Sequence, residues 1–251
     1  MLLRLTDNNV SSLLPAVTNT NNAPTVSERY KHVQTSDVID ALSAHGFKVS
    51  GQRQRSDTGK HGVILVNREN GFLDRSGSEN FATVTLFNSH DGKGAVQLIA
   101  GYFRAICSNG MVSGEVMDTL RVRHSENGLN SLTGIVAMLP ERLQAYAHDI
   151  MRMQNTELTT KDKISLAQNV FERIETLRAI PTPADLLFAR RENDLAANDL
   201  YTVANIIQEN IIKGGMRSRE SNRRLRAVTG LQSQTELTQL VMVEATKLVA
   251  A

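Results

Sequence analysis

A chain of 251 residues that is 41% hydrophobic and 22% charged can bury a core without disulfides or metals, as one large domain or two small ones. Its one cysteine, Cys107, excludes an intrachain disulfide, and with it a disulfide-stapled secreted scaffold, and suits a reducing cytoplasm. A net charge of +2 from 28 basic and 26 acidic residues is not that of a protein that adheres to polyanions wholesale, so phosphate binding would have to come from local clusters.

Residues 1–28 read as an N-terminal arm. MLLRLTDNNVSSLLPAV places Asp7, Asn8 and Asn9 where a signal peptide needs an unbroken apolar stretch, and residues 15–28 have the Asn, Thr and Pro of a loop without an apolar period. Thr35-Ser36-Asp37 opens a short amphipathic helix, Val38 to Ala44, stopped by Gly46. From Phe47 to about Val112 the pattern turns strand-like. HGVILVNRE, ENFATVTLFNS and AVQLIAGYFRAICSN are rich in β-branched and aromatic residues and are separated by glycine turns, which predicts about four antiparallel strands. Val116 to Arg123 adds a further strand. The apolar run Val63 to Val66 is far too short to cross a bilayer.

The remainder is helical. Leu132, Ile135, Val136, Leu139, Leu143, Ala147 and Ile150 keep a helical spacing, with Pro140 expected to split that segment or to sit in the first turn of a second helix. Thr159 to Asp162 caps a helix running to about Ala179. Pro181 and Pro183 end it and start another from Ala184 to Arg190. Leu195 to Lys213 is a strong helix stopped by Gly214-Gly215, and Thr235 to Val249 is the last. The fold class is therefore α+β: an antiparallel β-meander in residues 29–128, packed with helices from residues 129–251 as one continuous domain.

Enzyme chemistry finds little support. Cys107 with His90 or His124 is a conceivable nucleophile and base, but a lone cysteine at a strand end is more often simply buried. His90-Asp91 reads as a turn rather than a metal pair, and His32, His45, His61, His124 and His148 lack ligand spacing. There is no phosphate loop or dinucleotide fingerprint, and the strands are poor in the acids a two-metal nuclease needs. No cofactor, metal or catalytic residue is expected.

Basic clusters carry the functional signal. Residues 213–226 hold Lys213, Arg217, Arg219, Arg223, Arg224 and Arg226 against Glu220, and residues 48–60 hold Lys48, Arg53, Arg55 and Lys60 against Asp57. Arg53 and Arg55 share a strand face, and with Arg104, Arg121 and Arg123 they are expected to line one side of the sheet; Lys93 is a further candidate. Arginine forks onto phosphate oxygens and holds a backbone without reading sequence. With aromatics at 4% and no Trp, extensive base stacking is not supported.

One stretch, Asn88 to Gly114, carries a polar turn (Asn88, Ser89, Asp91, Gly92) followed after an apolar run by Arg104, Cys107, Ser108, Asn109 and Gly110. A second, Asn205 to Gly215, holds Gln208, Glu209, Asn210, Gly214 and Gly215. Through these residues the chain, from about Arg29 to Thr229, resembles a phage/plasmid-like family of uncharacterised domains. In outline the fold is similar to single-strand annealing proteins of the Rad-fifty-two type. The expectation is a phage or mobile-element protein, cytoplasmic in a bacterial host and homo-oligomeric. It would bind DNA, single-stranded rather than duplex, in annealing or recombination, without nucleotide hydrolysis and with no membrane involved. The alternative is a non-enzymatic interaction factor, such as an inhibitor of a host defence system, with a host protein as partner.

Overall fold

The computed structural model describes residues 12–22, 26–57, 59–104, 110–111, 120–174, 182–218 and 221–249. Among them, six strands form one antiparallel sheet: β1 (Lys48–Gln54), β2 (His61–Leu73), β3 (Glu79–Asn88), β4 (Val96–Arg104), β5 (Gly110–Met111) and β6 (Leu120–Val122). The order is β1-β2-β3-β4. The outer edge of β4 is shared, with β5 pairing to Tyr102 and Phe103 and β6 to Val96, Gln97 and Leu98. The meander and the α+β class stand as the sequence predicts.

The sheet is buried on both faces, which is why VILV in β2 is continuously apolar rather than alternating. On one face Val63, Leu65, Val84, Leu86, Leu98 and Ala100 join the helices in a single core. Those helices are α1 (Pro15–Thr18), α2 (Thr35–Ser43), α3 (Glu126–Asn155), α4 (Thr160–Arg173), α5 (Leu200–Lys213) and α6 (Leu231–Val249). On the other face Ile64, Val66, Phe81, Phe87 and Ile99 form a smaller cluster that includes Leu231 of α6. No helix among the described residues is long and apolar enough to cross a membrane.

Several elements differ from expectation. The arm is not a free linker where it is described: Ala16 and Val17 are fully buried, and the Gln52 and Gln54 side chains accept from Leu14 N and Ala16 N at 2.8 and 2.9 Å. Pro140 does not split its helix. It lies on the exposed side of α3, so the hydrogen bond it removes is a solvent-side one, while the stripe Val136, Leu139, Leu143 and Ile150 stays buried through it. Thr159 caps α4 with a full capping box, but the helix ends at Arg173. Residues 184–190 form no α-helix, only a 3₁₀ turn at Pro183–Leu187. Asp199, which accepts from Thr202 N, starts α5 five residues later than periodicity alone suggests.

Gly214 combines a positive φ with close backbone neighbours. It closes α5 at φ +59 and ψ −140, and a Cβ there would lie 2.7 Å from both Leu225 O and Arg226 O. Gly214→Ala is therefore expected to lower stability by about 1–3 kcal/mol, read as a lower urea midpoint with an unchanged slope.

Candidate nucleic-acid interface

Strand register brings the dispersed basic residues to one end of the sheet. A row of directly opposed residues crosses it there: Arg53 faces Gly62, Gly62 faces Phe87, Phe87 faces Gln97, and Gln97 faces Arg121. At strand spacing this row is roughly 20 Å long, with an arginine at each end. Arg55 N donates to Lys60 O at 3.0 Å, closing the β1–β2 turn beside it, and Arg123 follows β6 at the opposite side.

Between them projects the turn 88–94, whose residues hold one another. Asn88 Nδ2 donates to Val33 O at 3.0 Å and to Thr35 Oγ1 at 2.9 Å, and its carbonyl accepts from Ser89 N at 2.7 Å. Ser89 Oγ donates to the Asp91 carboxylate, which also takes Lys93 N at 3.0 Å. Gly92 supplies the positive φ, +74. The Asp91 charge is thus committed to shaping the turn, and Lys93 is left exposed at its tip. An open cavity flanks the turn on each side. One, of about 360 Å³, is walled by Arg55, Lys60, Ser89, Asp91 and Lys93; the other, of about 390 Å³, by Arg29, Tyr30, Lys93, Arg123, His124 and Ser125. Lys60 also reaches the Gln232 side chain at the start of α6.

Beneath the turn lies a group of histidines that no spacing rule reveals, because each comes from a different segment. The His90 ring stacks on His32 at 4.4 Å and tilts against His61 at 5.0 Å, and His124 stacks on Tyr30 at 4.5 Å. Their nitrogens turn to structure. His61 bonds Gly59 O at 2.9 Å and Thr35 Oγ1 at 2.8 Å, His90 Nε2 bonds Ala16 O at 3.0 Å, and His124 Nδ1 bonds Lys31 O at 3.2 Å. Burial, reinforced by His32 and His61, pulls His90 down to about 4. Burial also lowers His61 and His124 and, with the Asp91 charge, lifts Tyr30 to about 12. No group of three or more His, Cys, Asp or Glu among the described residues is arranged to hold a metal ion.

Arg104 does not belong to this surface. It sits at the opposite end of β4 and points to the helical face, fully buried. Its Nε lies 2.8 Å from Asp74, and its terminal nitrogens donate to both Asp194 oxygens at 3.0 and 2.8 Å and to Ser76 Oγ. The alternation that puts Arg53 and Arg121 on one face puts Arg104 on the other. Cys107 and Arg219 lie outside the described residues.

The second basic segment forms a hairpin. Ser218 N donates to Arg223 O at 3.0 Å and Leu225 N to Met216 O at 2.9 Å, with Arg217 opposite Arg224. Arg217, Arg223, Arg224 and Arg226 are exposed. Lys213 is instead bound to Glu209, which also takes Arg191 at 2.8 Å. Asn210 Nδ2 donates to Leu186 O and Phe188 O at 2.8 Å each, and Gln208 Nε2 to Thr238 Oγ1 at 2.8 Å. The polar residues of the second resembling stretch therefore stitch α5 to its neighbours rather than face solvent. Sequence reading missed Arg29, which sits at the edge of what looks like a linker, and it weighed the histidines only as bases or metal ligands, not as one stacked group.

Two Escherichia coli (strain K12) proteins are similar to this chain along almost its whole length: the UPF0380 proteins YfjQ and YafZ. Each is 30% identical over 260 residues, covering 96% of this chain and 90% of the relative. No solved structure gives a significant match. The family model described as a domain of unknown function, DUF932, matches residues 24–232, close to the extent over which the sequence resembles a family, and the chain belongs to the DUF932 family.

Proposed function

We propose that this protein binds nucleic acid, single-stranded DNA in preference to duplex, through phosphate contacts at the β3–β4 turn end of the sheet. The carrying observation is the convergence of Arg55, Lys60, Lys93, Arg29 and Arg123 on two cavities that share Lys93. None of these five closes a salt bridge among the described residues. Cations not closed into salt bridges can displace counterions from a phosphate chain. A projecting turn with a pocket on either side suits a strand that can bend around it; a duplex, stiff over about 150 base pairs, adapts poorly. Contacts of this kind leave bases free to pair, which agrees with an annealing or recombination role for a protein of a phage or mobile element and needs no nucleotide hydrolysis.

The test is fluorescence-anisotropy titration of labelled single-stranded and duplex DNA between about 50 and 200 mM salt. The parent protein is compared with the triple variant Arg55→Ala/Lys60→Ala/Lys93→Ala. The parent is expected to bind single strands more tightly and to weaken steeply with salt. The variant should lose about 2 units of the logarithmic salt slope, since each phosphate contact to a single strand contributes about 0.7. Identical affinity and slope in parent and variant would remove this surface from consideration. Absence of binding to either DNA would sink the reading and direct the search to protein partners.

A further inference from the structure

The basic hairpin after α5 is held in place from its inner side. Met216 and Leu225 pack against the core, and Ser218 is buried. At its base Gly215 N donates to Leu225 O at 2.9 Å, and Val228 N returns to Ile212 O at 2.8 Å. The bonds from Ser218 N to Arg223 O and from Leu225 N to Met216 O flank Arg217 and Arg224. These two are therefore a directly opposed pair of the closer, non-hydrogen-bonded kind. Their side chains leave the same face of the hairpin from Cβ atoms roughly 5 Å apart, and like charges so placed are unfavourable for the protein by itself.

No acid offsets them. Arg217, Arg223, Arg224 and Arg226 are exposed and close no salt bridge among the described residues. The groups that hold the Arg217 guanidinium are neutral: Nη1 donates to Asn222 O at 3.0 Å and to Asn222 Oδ1 at 3.3 Å. Arg190, at the base of the hairpin, is held in the same way, with Nε donating to Asn210 Oδ1 at 2.6 Å and Nη2 to Gly214 O. A neutral acceptor fixes a guanidinium without neutralising it, and Arg217 keeps its Nε–Nη2 edge for a forked contact with an anion. Arg191 and Lys213 are different, because both are bound to Glu209.

The hairpin is also near the sheet-end surface. Six steps of chain join Arg226 to Gln232, so their Cα atoms lie within roughly 20 Å of each other, and the Gln232 side chain takes the Lys60 ammonium. We propose that the hairpin is a second phosphate-contact site, with Arg217 and Arg224 gripping one phosphate between them. On the nucleic-acid reading above, on which the ligand depends, a single strand runs from Lys60 past Gln232 to this pair. Continuity with Lys60 favours a phosphate chain over an acidic protein segment, because a strand carries its charges at regular, close intervals along one path.

The test is anisotropy titration of the full chain with a single strand of about 16 nucleotides, the long end of single-strand site sizes, at about 50 and 200 mM salt. The parent is compared with Arg217→Gln/Arg224→Gln and with Arg224→Gln/Arg226→Gln, the second of which breaks no side-chain hydrogen bond among the described residues. Each variant should lose about 1.4 units of the logarithmic salt slope, two single-strand contacts at about 0.7 each. Its urea midpoint should stay at or above that of the parent, since a like-charge pair has been relieved. Hairpin variants that bind like the parent, while Arg55→Ala/Lys60→Ala/Lys93→Ala loses slope, overturn the hairpin site and leave the sheet-end reading standing. The reverse pattern supports the hairpin as the contact and overturns the sheet end, and with it the path between them. Stoichiometric titration tests the path itself: one strand per chain at saturation supports it, and two strands per chain overturn it. A parent that binds no DNA overturns both sites and points to an acidic protein segment as the partner of the hairpin.

Discussion

Arg104→Met is expected to destabilise the protein by about 3–5 kcal/mol, the range for breaking one partner out of a buried ion pair. The arginine and both of its acids are withdrawn from water, with side-chain exposures of 1% for Arg104, 0% for Asp74 and 1% for Asp194. The two carboxylates would not suffer equally. Asp74 keeps Ser76 N at 3.0 Å, Ser78 N at 2.9 Å and Ser76 Oγ at 2.7 Å, so its charge stays solvated by the β2–β3 turn. Asp194 takes two arginine donors and has no comparable set. The double variant Arg104→Met/Asp194→Asn should therefore recover part of the loss, because the amide carries no charge to strand. Urea unfolding of the parent, the single and the double variant gives the comparison, with a cooperative slope in each as the condition for reading it. A single variant within about 0.5 kcal/mol of the parent would mean that the turn 74–78 and the residues around Asp194 are held together by other contacts.

Local patterns and long-range pairings were not equally visible in the sequence. The meander was legible because its glycine turns and β-branched runs are short-range signals, and so were the start of α4 and the Gly214 stop, whereas α2 begins at Thr35, three residues before the expected Val38, behind a Gln34 that makes no side-chain cap. Pro140 misleads because proline reads as a helix breaker wherever it stands, whereas here it lies off the apolar stripe, on the wet side, where a missing N–H costs little. Arg104 misleads for a related reason: its side of the sheet depends on parity within β4, and its partners Asp74 and Asp194 are 30 and 90 residues away in sequence. Arg53, Arg55, Arg121 and Arg123 were legible as one sheet-side group, but Arg104 was wrongly included and the place of Lys60 and Lys93 beside them was not visible. What groups them is the register linking Arg53 through Phe87 to Arg121, set by four strand pairings. The histidines were invisible for the same reason, since His32, His61, His90 and His124 meet only once the arm, β2, the turn and the end of β6 are assembled.

That assembly sets up the second large effect, a loss of stability on acidification that runs through His90. The ring is fully buried, its Nε2 donates to Ala16 O at 3.0 Å, and its Nδ1 has no partner. Adding a proton puts an unsolvated charge against His32 and His61, with His124 close enough to add to the repulsion. Burial first, and those neighbours second, hold its folded value at about 4, against about 6.5 in the unfolded chain. Between these values the unfolded state binds the extra proton, so stability is full above about pH 6.5 and falls as pH drops toward 4. A shift of this size corresponds to roughly 3 kcal/mol. His61 and His124, also lowered by burial, act in the same direction. His90→Gln retains a donor for Ala16 O and cannot be protonated, so its stability should vary less between pH 7 and pH 4 than that of the parent, in urea titrations across that range. His90 packs under the arm, which it holds through Ala16 O, and α1 is only four residues long, so the arm is the part that must give way to let water reach a charged ring. Hydrogen exchange at the backbone of 16–18 should therefore accelerate, relative to the intrinsic rate at each pH, before the sheet amides of β2 and β3 respond. Uniform acceleration across α1 and the sheet would instead mean that the arm and the core open as one unit.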